Sequence, residues 1–376
     1  MTERFGIWCS ATDWAGPART AQALTKCGAD VCIIAPANSY AALTRFKAAD
    51  ILMPFEQANR SLPAIARTLA EEFGAHSILP GDDLTFWALS QFVRRMDEVE
   101  LSDAARAMIA RSMPSAAKSA LLSVDSEFIA AEREASLCPA PPCVANPAQT
   151  DAEQFADDVG YPVLVKFDGF ASGHGVRVCN DKRALIAALA VRPEHPRHAK
   201  FVVQKFVRGE VYGVTLSGLE GKALAGFSFV KHRCTSENGA TSVARHAPRP
   251  DILKRSFELF ETYALNGYAG FDYIVDEADR PFLIEINPRL MPTGHFSEEF
   301  GVDLTAALLA AMRRKPAPKP ANPKYEYVAL FPNEWVRDPE SSYLQAAYYD
   351  VPHDDPAVAA AMMRDAKSWR DRKERR

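Results

Sequence analysis

One stretch constrains this chain more than any other: Gly267 to Arg289, which reads Gly-Tyr-Ala-Gly-Phe-Asp-Tyr-Ile-Val-Asp-Glu-Ala-Asp-Arg-Pro-Phe-Leu-Ile-Glu-Ile-Asn-Pro-Arg. Two short β-patterned runs, 270–275 and 281–286, flank the acidic turn 276–280, and this pattern predicts an antiparallel hairpin. Side chains alternate across a strand, so Glu285 and Asn287 share a face, and folding across the turn brings Asp272 towards them. Glu285 interrupts Phe-Leu-Ile-Glu-Ile, a run otherwise apolar enough to be buried, and an acid in such a run needs a cation. Three hard oxygen donors on a rigid ribbon suit Mg²⁺, which binds few protein oxygens and completes its shell with water and nucleotide phosphates. The other reading is an edge hairpin whose acids are simply solvated.

The sequence Phe-Asp-Tyr-Ile-Val, a turn, then Phe-Leu-Ile-Glu-Ile-Asn-Pro-Arg resembles the metal-binding hairpin of the ATP-grasp superfamily. The resemblance implies that Asp272, Glu285 and Asn287 carry magnesium ions, with Mn²⁺ as a substitute. It also implies that Arg289 faces the transferring phosphoryl group and an acyl-phosphate.

Two upstream stretches support a nucleotide site. In Tyr-Pro-Val-Leu-Val-Lys-Phe-Asp-Gly-Phe-Ala-Ser-Gly-His-Gly-Val, a strand ends at Lys166 and a loop follows with Gly169, Ser172, Gly173 and Gly175. Its backbone N–H groups can wrap phosphate oxygens, and Lys166 supplies a point charge. The next element is a strand and no Gly-Lys-Ser/Thr occurs, so this is not a Walker loop. Further on, strand 201–204 runs into a linker whose backbone can bond an adenine edge, with Glu210 placed to accept from ribose hydroxyls. Both stretches resemble ATP-grasp elements, the phosphate loop and the hinge, which implies ATP contacts from Gln204, Lys205, Val207 and Glu210. Gln204-Lys205 departs from the family pattern, in which an acid often opens the hinge. Lys118, near the start of an alanine-rich helical pattern, resembles the superfamily's phosphate-reaching lysine; a solvated helix lysine is the alternative. The small, polar segment 232–248 reads as a mobile loop over a site. Lys231, Arg233, Arg245 and His246 on or beside it are candidates to bind a substrate carboxylate. His295, in Met-Pro-Thr-Gly-His, is a candidate substrate contact near the metal or a helix cap.

The rest of the chain frames this site. Strand patterns at 4–9, 30–36, 50–54 and 76–79 alternate with helical ones, including one over 39–47, and imply βαβ units in a parallel sheet. The fold class is therefore α/β and α+β multidomain: a doubly wound domain over 1–112, then a two-subdomain ATP-grasp fold over 113–313 with its glycine-loop lid at about 140–205. A proline-rich spacer and a tail without assigned chemistry occupy 314–376. Turns 10–16, 36–39 and 80–83 fall at the carboxyl ends of the first strands, where ligands of such sheets bind. The first lacks Gly-x-Gly-x-x-Gly, which argues against a dinucleotide, and Asp82 and Asp83 read as a helix N-cap.

Composition narrows the partners. The formal charge of −4 gives no reason to expect nucleic acid or an anionic membrane. No apolar run reaches the length of a membrane span, and the start Met-Thr-Glu-Arg is too acidic for a signal peptide, so a cytoplasmic protein is expected. Seven scattered cysteines without a Cys-x-x-Cys pair read as reduced structural thiols. The resemblance implies an ATP-dependent ligase that joins a small carboxylate to an amine or thiol through an acyl-phosphate, releasing ADP and phosphate. By the same resemblance a homodimer is expected. One alternative is bicarbonate activation, as in the carbamoyl-phosphate-synthase and biotin-carboxylase branches, to which Glu-Ile-Asn-Pro-Arg is also similar; no amidotransferase domain, second ATP-grasp copy or biotinyl region is found to go with it. The other is a nucleotide-binding regulatory module, against which Lys166 and Arg289 speak, because a sensor needs no arginine aimed at developing charge.

Overall fold

The computed structural model describes residues 2–170, 173–191, 198–236 and 239–374. Its strands form three sheets. The first holds β1 (Arg4–Trp8), β2 (Asp30–Ala35), β3 (Ala49–Leu52) and β4 (Ser77–Pro80) in the order β3-β2-β1-β4, with every neighbouring pair parallel. Alternate side chains explain why it is covered on both faces. Phe5, Ile7, Val31 and Ile33 enter one buried cluster, while Trp8, Cys32, Ile34 and Ile78 enter another. The helix expected over 39–47 is a single turn, Tyr40–Leu43, capped by Ser39. Thr44 turns extended because its hydroxyl bonds Asp355 and also accepts from Phe46 N–H, so a tertiary contact ends the helix.

The second sheet spans the stretch expected to form a lid: β5 (Cys143–Ala145), β6 (Val163–Phe167), β7 (Val176–Cys179) and β8 (Phe201–Lys205) in the order β5-β8-β6-β7, all pairs antiparallel. Val163, Val165 and Val203 pack with Ala156 and Leu185 from helices Gln149–Val159 and Lys182–Ala190, giving this sheet its own core.

The third sheet contains β9 (Gly209–Leu219), β10 (Lys222–Cys234), β11 (Thr241–His246), β12 (Gly267–Asp276), β13 (Pro281–Asn287), β14 (Tyr327–Ala329) and β15 (Tyr348–Tyr349). Its order is β13-β12-β9-β10-β11-β14-β15, so the hairpin β12–β13 forms one edge. Val214, Phe260 and Phe271 share a core with Ile34 and Phe86 of the first sheet's region, and the two parts pack as neighbours.

The tail is more than an appendage. Strands β14 and β15 complete the third sheet, and Phe331, Val358 and Met362 pack on Ala18 and Tyr40 from the other end of the chain. All seven cysteines are free thiols. Among the described residues, no helix is long and apolar enough to cross a membrane.

Candidate active site

The hairpin brings its polar residues together by register. Asp272 lies opposite Glu285, and Gly270 opposite Asn287. Between these pairs and the turn the ladder slips: Tyr273 pairs with Leu283, which leaves Ile284 as the extra residue of a bulge. Its carbonyl is thereby turned off the ladder and accepts from Lys166 Nζ at 3.2 Å. Asp272 and Asn287 are each only 4% exposed, whereas Glu285 opens into the cleft. Loss of solvation and the neighbouring charge of Asp272 push the Glu285 carboxyl up to about 7, with Lys231 and Lys166 pulling it down. Two adjacent carboxylates and an amide are a donor set for Mg²⁺: too few to cage the ion, and short of positive charge. Among the described residues, no group of three His, Cys, Asp or Glu side chains is placed to hold a metal ion by itself.

Cations face these acids. Lys231 Nζ lies 2.5 Å from Asp272 Oδ2, and although burial opposes its charge, Asp272 and Glu285 outweigh that and hold it protonated. Lys166 reaches Gln204 Oε1 at 3.4 Å; burial lowers its pKa despite Glu285, Asp125 and Asp272 nearby. Both lysines line a cavity of about 230 Å³ with Asp272, Glu285, Asn287 and Arg289. Gly173 and Gly175 line it too. Gly169 and Gly173 take left-handed backbone, φ +76° and +74°, and a side chain at Gly175 would meet Phe167 O at 2.7 Å. Ser172 lies outside the described residues.

The first domain completes this wall. Arg289 donates from Nε and Nη2 to both oxygens of Asp83, at 2.6 and 3.1 Å, and from Nη2 to Asn287 Oδ1 at 2.8 Å, with its guanidinium 5.5 Å from the Trp14 ring centre. Asp82 is the helix cap that the sequence predicts: it forms a capping box with Thr85 and accepts from Ser10 and Ala11 N–H. Asp83, read with it as a cap, instead orients the arginine. Asp125, at the first position of helix Asp125–Glu132, also lines the cavity, and burial with the charges of Asp168 and Glu285 raises its pKa. Asp168 is fixed by Ser126, from N–H at 2.9 Å and from the hydroxyl at 2.7 Å. Sequence reasoning missed Asp83, Asp125 and Trp14; their local signals are those of ordinary helix starts and turns.

Other predicted contacts fall elsewhere. Gln204, Lys205, Val207 and Glu210 do not line the cavity. Lys205 N–H is taken by Pro142 O at 2.8 Å and Phe206 N–H by Pro162 O, because the pairing of the second sheet continues past β8; those donors are not free for an adenine. Glu210 is exposed and accepts from Arg245 at 3.2 Å. Lys118, on helix Ala116–Leu122, does not reach the cavity wall. Arg233 lies over the Tyr343 ring and is exposed, and His246 packs on Phe300 at 5.3 Å, where burial lowers its pKa. His295 is not beside the hairpin acids: its Nε2 bonds Asp350 Oδ2 at 2.8 Å, because the tail folds back over the first domain. Of the basic candidates around the loop, only Lys231 joins the acids.

Residues 133–293 match the family model for the ATP-grasp domain. The chain is 26% identical over 172 residues to pyruvate carboxylase from Aspergillus niger, a match covering 42% of this chain and 14% of that protein. It is 27% identical over 186 residues to the carbamoyl phosphate synthase large chain of Pyrococcus furiosus, covering 44% and 16%. The chain thus spans less than a fifth of either relative. In structure it resembles the biotin carboxylase domain dimer of Hydrogenobacter thermophilus 2-oxoglutarate carboxylase, in complex with MgADP, ADP and bicarbonate (TM-score 0.62, 16% identity, 86% of this chain and 72% of that one). The N5-carboxyaminoimidazole synthetase of Staphylococcus aureus complexed with ADP is equally similar (TM-score 0.62, 15% identity, 86% and 81%). At such identities the likeness establishes the fold.

Proposed function

This chain carries an ATP-grasp domain over residues 133–293, and from that premise we propose that it is an ATP-dependent ligase joining a small carboxylate to an amine or thiol, with release of ADP and phosphate. The observation that carries this reading is the convergence of Asp272, Glu285, Asn287, Lys166, Lys231 and Arg289 on one cavity between lid, hairpin and first domain. Mg²⁺ held by Asp272, Glu285 and Asn287 would neutralise charge on the nucleotide phosphates. Lys166 and Lys231 add positive charge on the same wall, and Lys166 is kept in place by Ile284 O and Gln204. Arg289, clamped by Asp83 and Asn287, is preorganised to stabilise the negative charge that develops as a carboxylate oxygen attacks the γ-phosphorus and ADP leaves. The resulting acyl-phosphate is then open to the amine or thiol, with phosphate as leaving group. The glycine loop and the lid exclude water, which would otherwise hydrolyse that intermediate.

Phosphate release from Mg-ATP, measured across a panel of small carboxylates alone and with amines, tests the proposal, with Glu285→Gln as control. Release that needs one acid and one amine, and is lost in the variant, supports it. Release driven by bicarbonate alone moves the reading to carboxylation. Nucleotide binding without turnover in any well overturns it in favour of a regulatory module.

A further inference from the structure

A second cavity, of about 60 Å³, adjoins the first: Trp14, Pro292 and Asn333 line both. Its polar wall is built from three distant parts of the chain. Arg19 comes from helix Gly16–Lys26, His295 from the turn after the hairpin and Asp350 from the tail. Arg19 is 7% exposed, and its Nη2 bonds Asp350 Oδ1. Its Nε and Nη1 are buried with no hydrogen-bond partner among the described residues. A guanidinium carries five N–H donors, and buried donors are normally all used, so this wall presents donors made for something else.

The remaining polar atoms complete the pattern. Burial disfavours the charge of Asp350, but Arg19 and His295 outweigh that and keep it ionised. An ionised Asp350 oxygen can only accept, so His295 Nε2 must carry the proton of that 2.8 Å bond. Burial lowers the His295 pKa and keeps the ring neutral. Its Nδ1 is then a bare lone pair, also buried and without a partner among the described residues. One wall thus offers two donor nitrogens and one acceptor; Arg19 already matches the charge of Asp350, and Asp13 adds a further carboxylate to the same cavity. An anion alone would meet that acid and leave His295 Nδ1 unpaired. A molecule with both a carboxylate and a nearby ammonium satisfies every group.

We propose that this cavity binds a small amino acid, its carboxylate on Arg19 Nε and Nη1 and its amino group towards His295 Nδ1. The assignment rests on the ligase reading for one point only: a substrate whose carboxylate is held by Arg19 is not the acid that is phosphorylated, and it enters as the amine partner. Trp14, Pro292 and Asn333 line both cavities, so the pocket of that partner adjoins the cavity of the hairpin acids.

The test is calorimetric titration of the full chain with individual L-amino acids, without nucleotide, and separately with Mg-ATP. At least one amino acid is expected to bind, and its carboxamide and its N-acetyl derivative to bind about tenfold more weakly or worse, since each leaves a buried polar group unpaired. The double variant Arg19→Met/Asp350→Asn, which removes both charges together, and His295→Gln, whose amide still donates to Asp350 but lacks the Nδ1 lone pair, are expected to lose that binding while Mg-ATP binding is unchanged. If no amino acid binds, or if the amide and acetyl forms bind as well as the parent, the proposal is overturned. The derivatives decide the matter on the unmodified protein even where a variant fails to fold. Failure of Mg-ATP to bind counts against the ligase reading and leaves the amino acid result standing by itself.

Discussion

Glu285 is expected to hold its proton up to about pH 7, because its place deep in the cleft among protein atoms and the Asp272 charge both oppose its ionisation, against the pull of Lys231 and Lys166. The sign of the consequence is the reverse of that for a salt-bridged acid. Its carboxyl is raised from an ordinary 4.5, so without metal the folded chain binds this proton more tightly than the unfolded chain, and stability falls as pH rises from about 4.5 to about 7. Thermal melts of the metal-free protein across that window should show the decline, and Glu285→Gln should flatten it. On the proposed reading, in which Glu285 helps to hold Mg²⁺, metal binding displaces the same proton. Affinity for Mg²⁺ in the presence of ATP is therefore expected to fall by up to about tenfold per unit as pH drops below 7, read by titration at fixed nucleotide. An affinity independent of pH between 5.5 and 7.5 would remove Glu285 from the metal site. The acid was visible in the sequence because it breaks an apolar run; its pKa was not, because Lys166 and Lys231 arrive from other strands.

At the scale of the element, the glycine loop and the hairpin differ in how much they reveal locally. The hairpin's pairing is a short-range matter of two β runs and a turn, and Asp272 duly faces Glu285. The bulge at Ile284 is different: nothing in Phe-Leu-Ile-Glu-Ile marks the slip that turns a carbonyl towards Lys166. In the loop, Gly175 is required by close approach, since a side chain there would meet Phe167 O at 2.7 Å and the Phe170 ring at 2.8 Å. Gly175→Ala is expected to cost about 1–3 kcal/mol, seen in urea unfolding, and to weaken Mg-ATP binding as the loop shifts off the cavity. Unchanged binding in a folded variant would show that this loop does not cradle the nucleotide.

For the whole molecule, the decisive contacts join distant segments. Asp83 of the first domain grips Arg289 of the ATP-grasp domain, so Asp83→Asn is expected to lower kcat about tenfold or more while nucleotide affinity changes little, because it loosens an oriented arginine without removing it. Equal losses in kcat and in ATP affinity would point instead to a damaged nucleotide site. The tail supplies β14, β15 and the apolar contacts of Phe331, Val358 and Met362. A chain ended at Lys324 should lose more than about 10 °C in Tm, or fail to stay soluble, since each lost core side chain is worth about 1.5–3 kcal/mol. A soluble, cooperatively melting truncation at the original Tm would make the tail dispensable.

Short-range rules are enough to read the alternating strands and helices of the first sheet, the strand–glycine loop–strand of the second, and a hairpin that aligns two acids with an amide. These follow from side-chain period and turn chemistry, which need no partner to be read. Long-range packing alone sets the contacts of Asp83 and Trp14 with Arg289, the meeting of Lys231, rather than Arg233 or His246, with the acids, and the grouping of His295 with Arg19 and Asp350 in a separate cavity. In each case the partners are far apart along the chain. Which side chains meet then depends on how sheets and tail pack against one another, and local pattern carries no record of that.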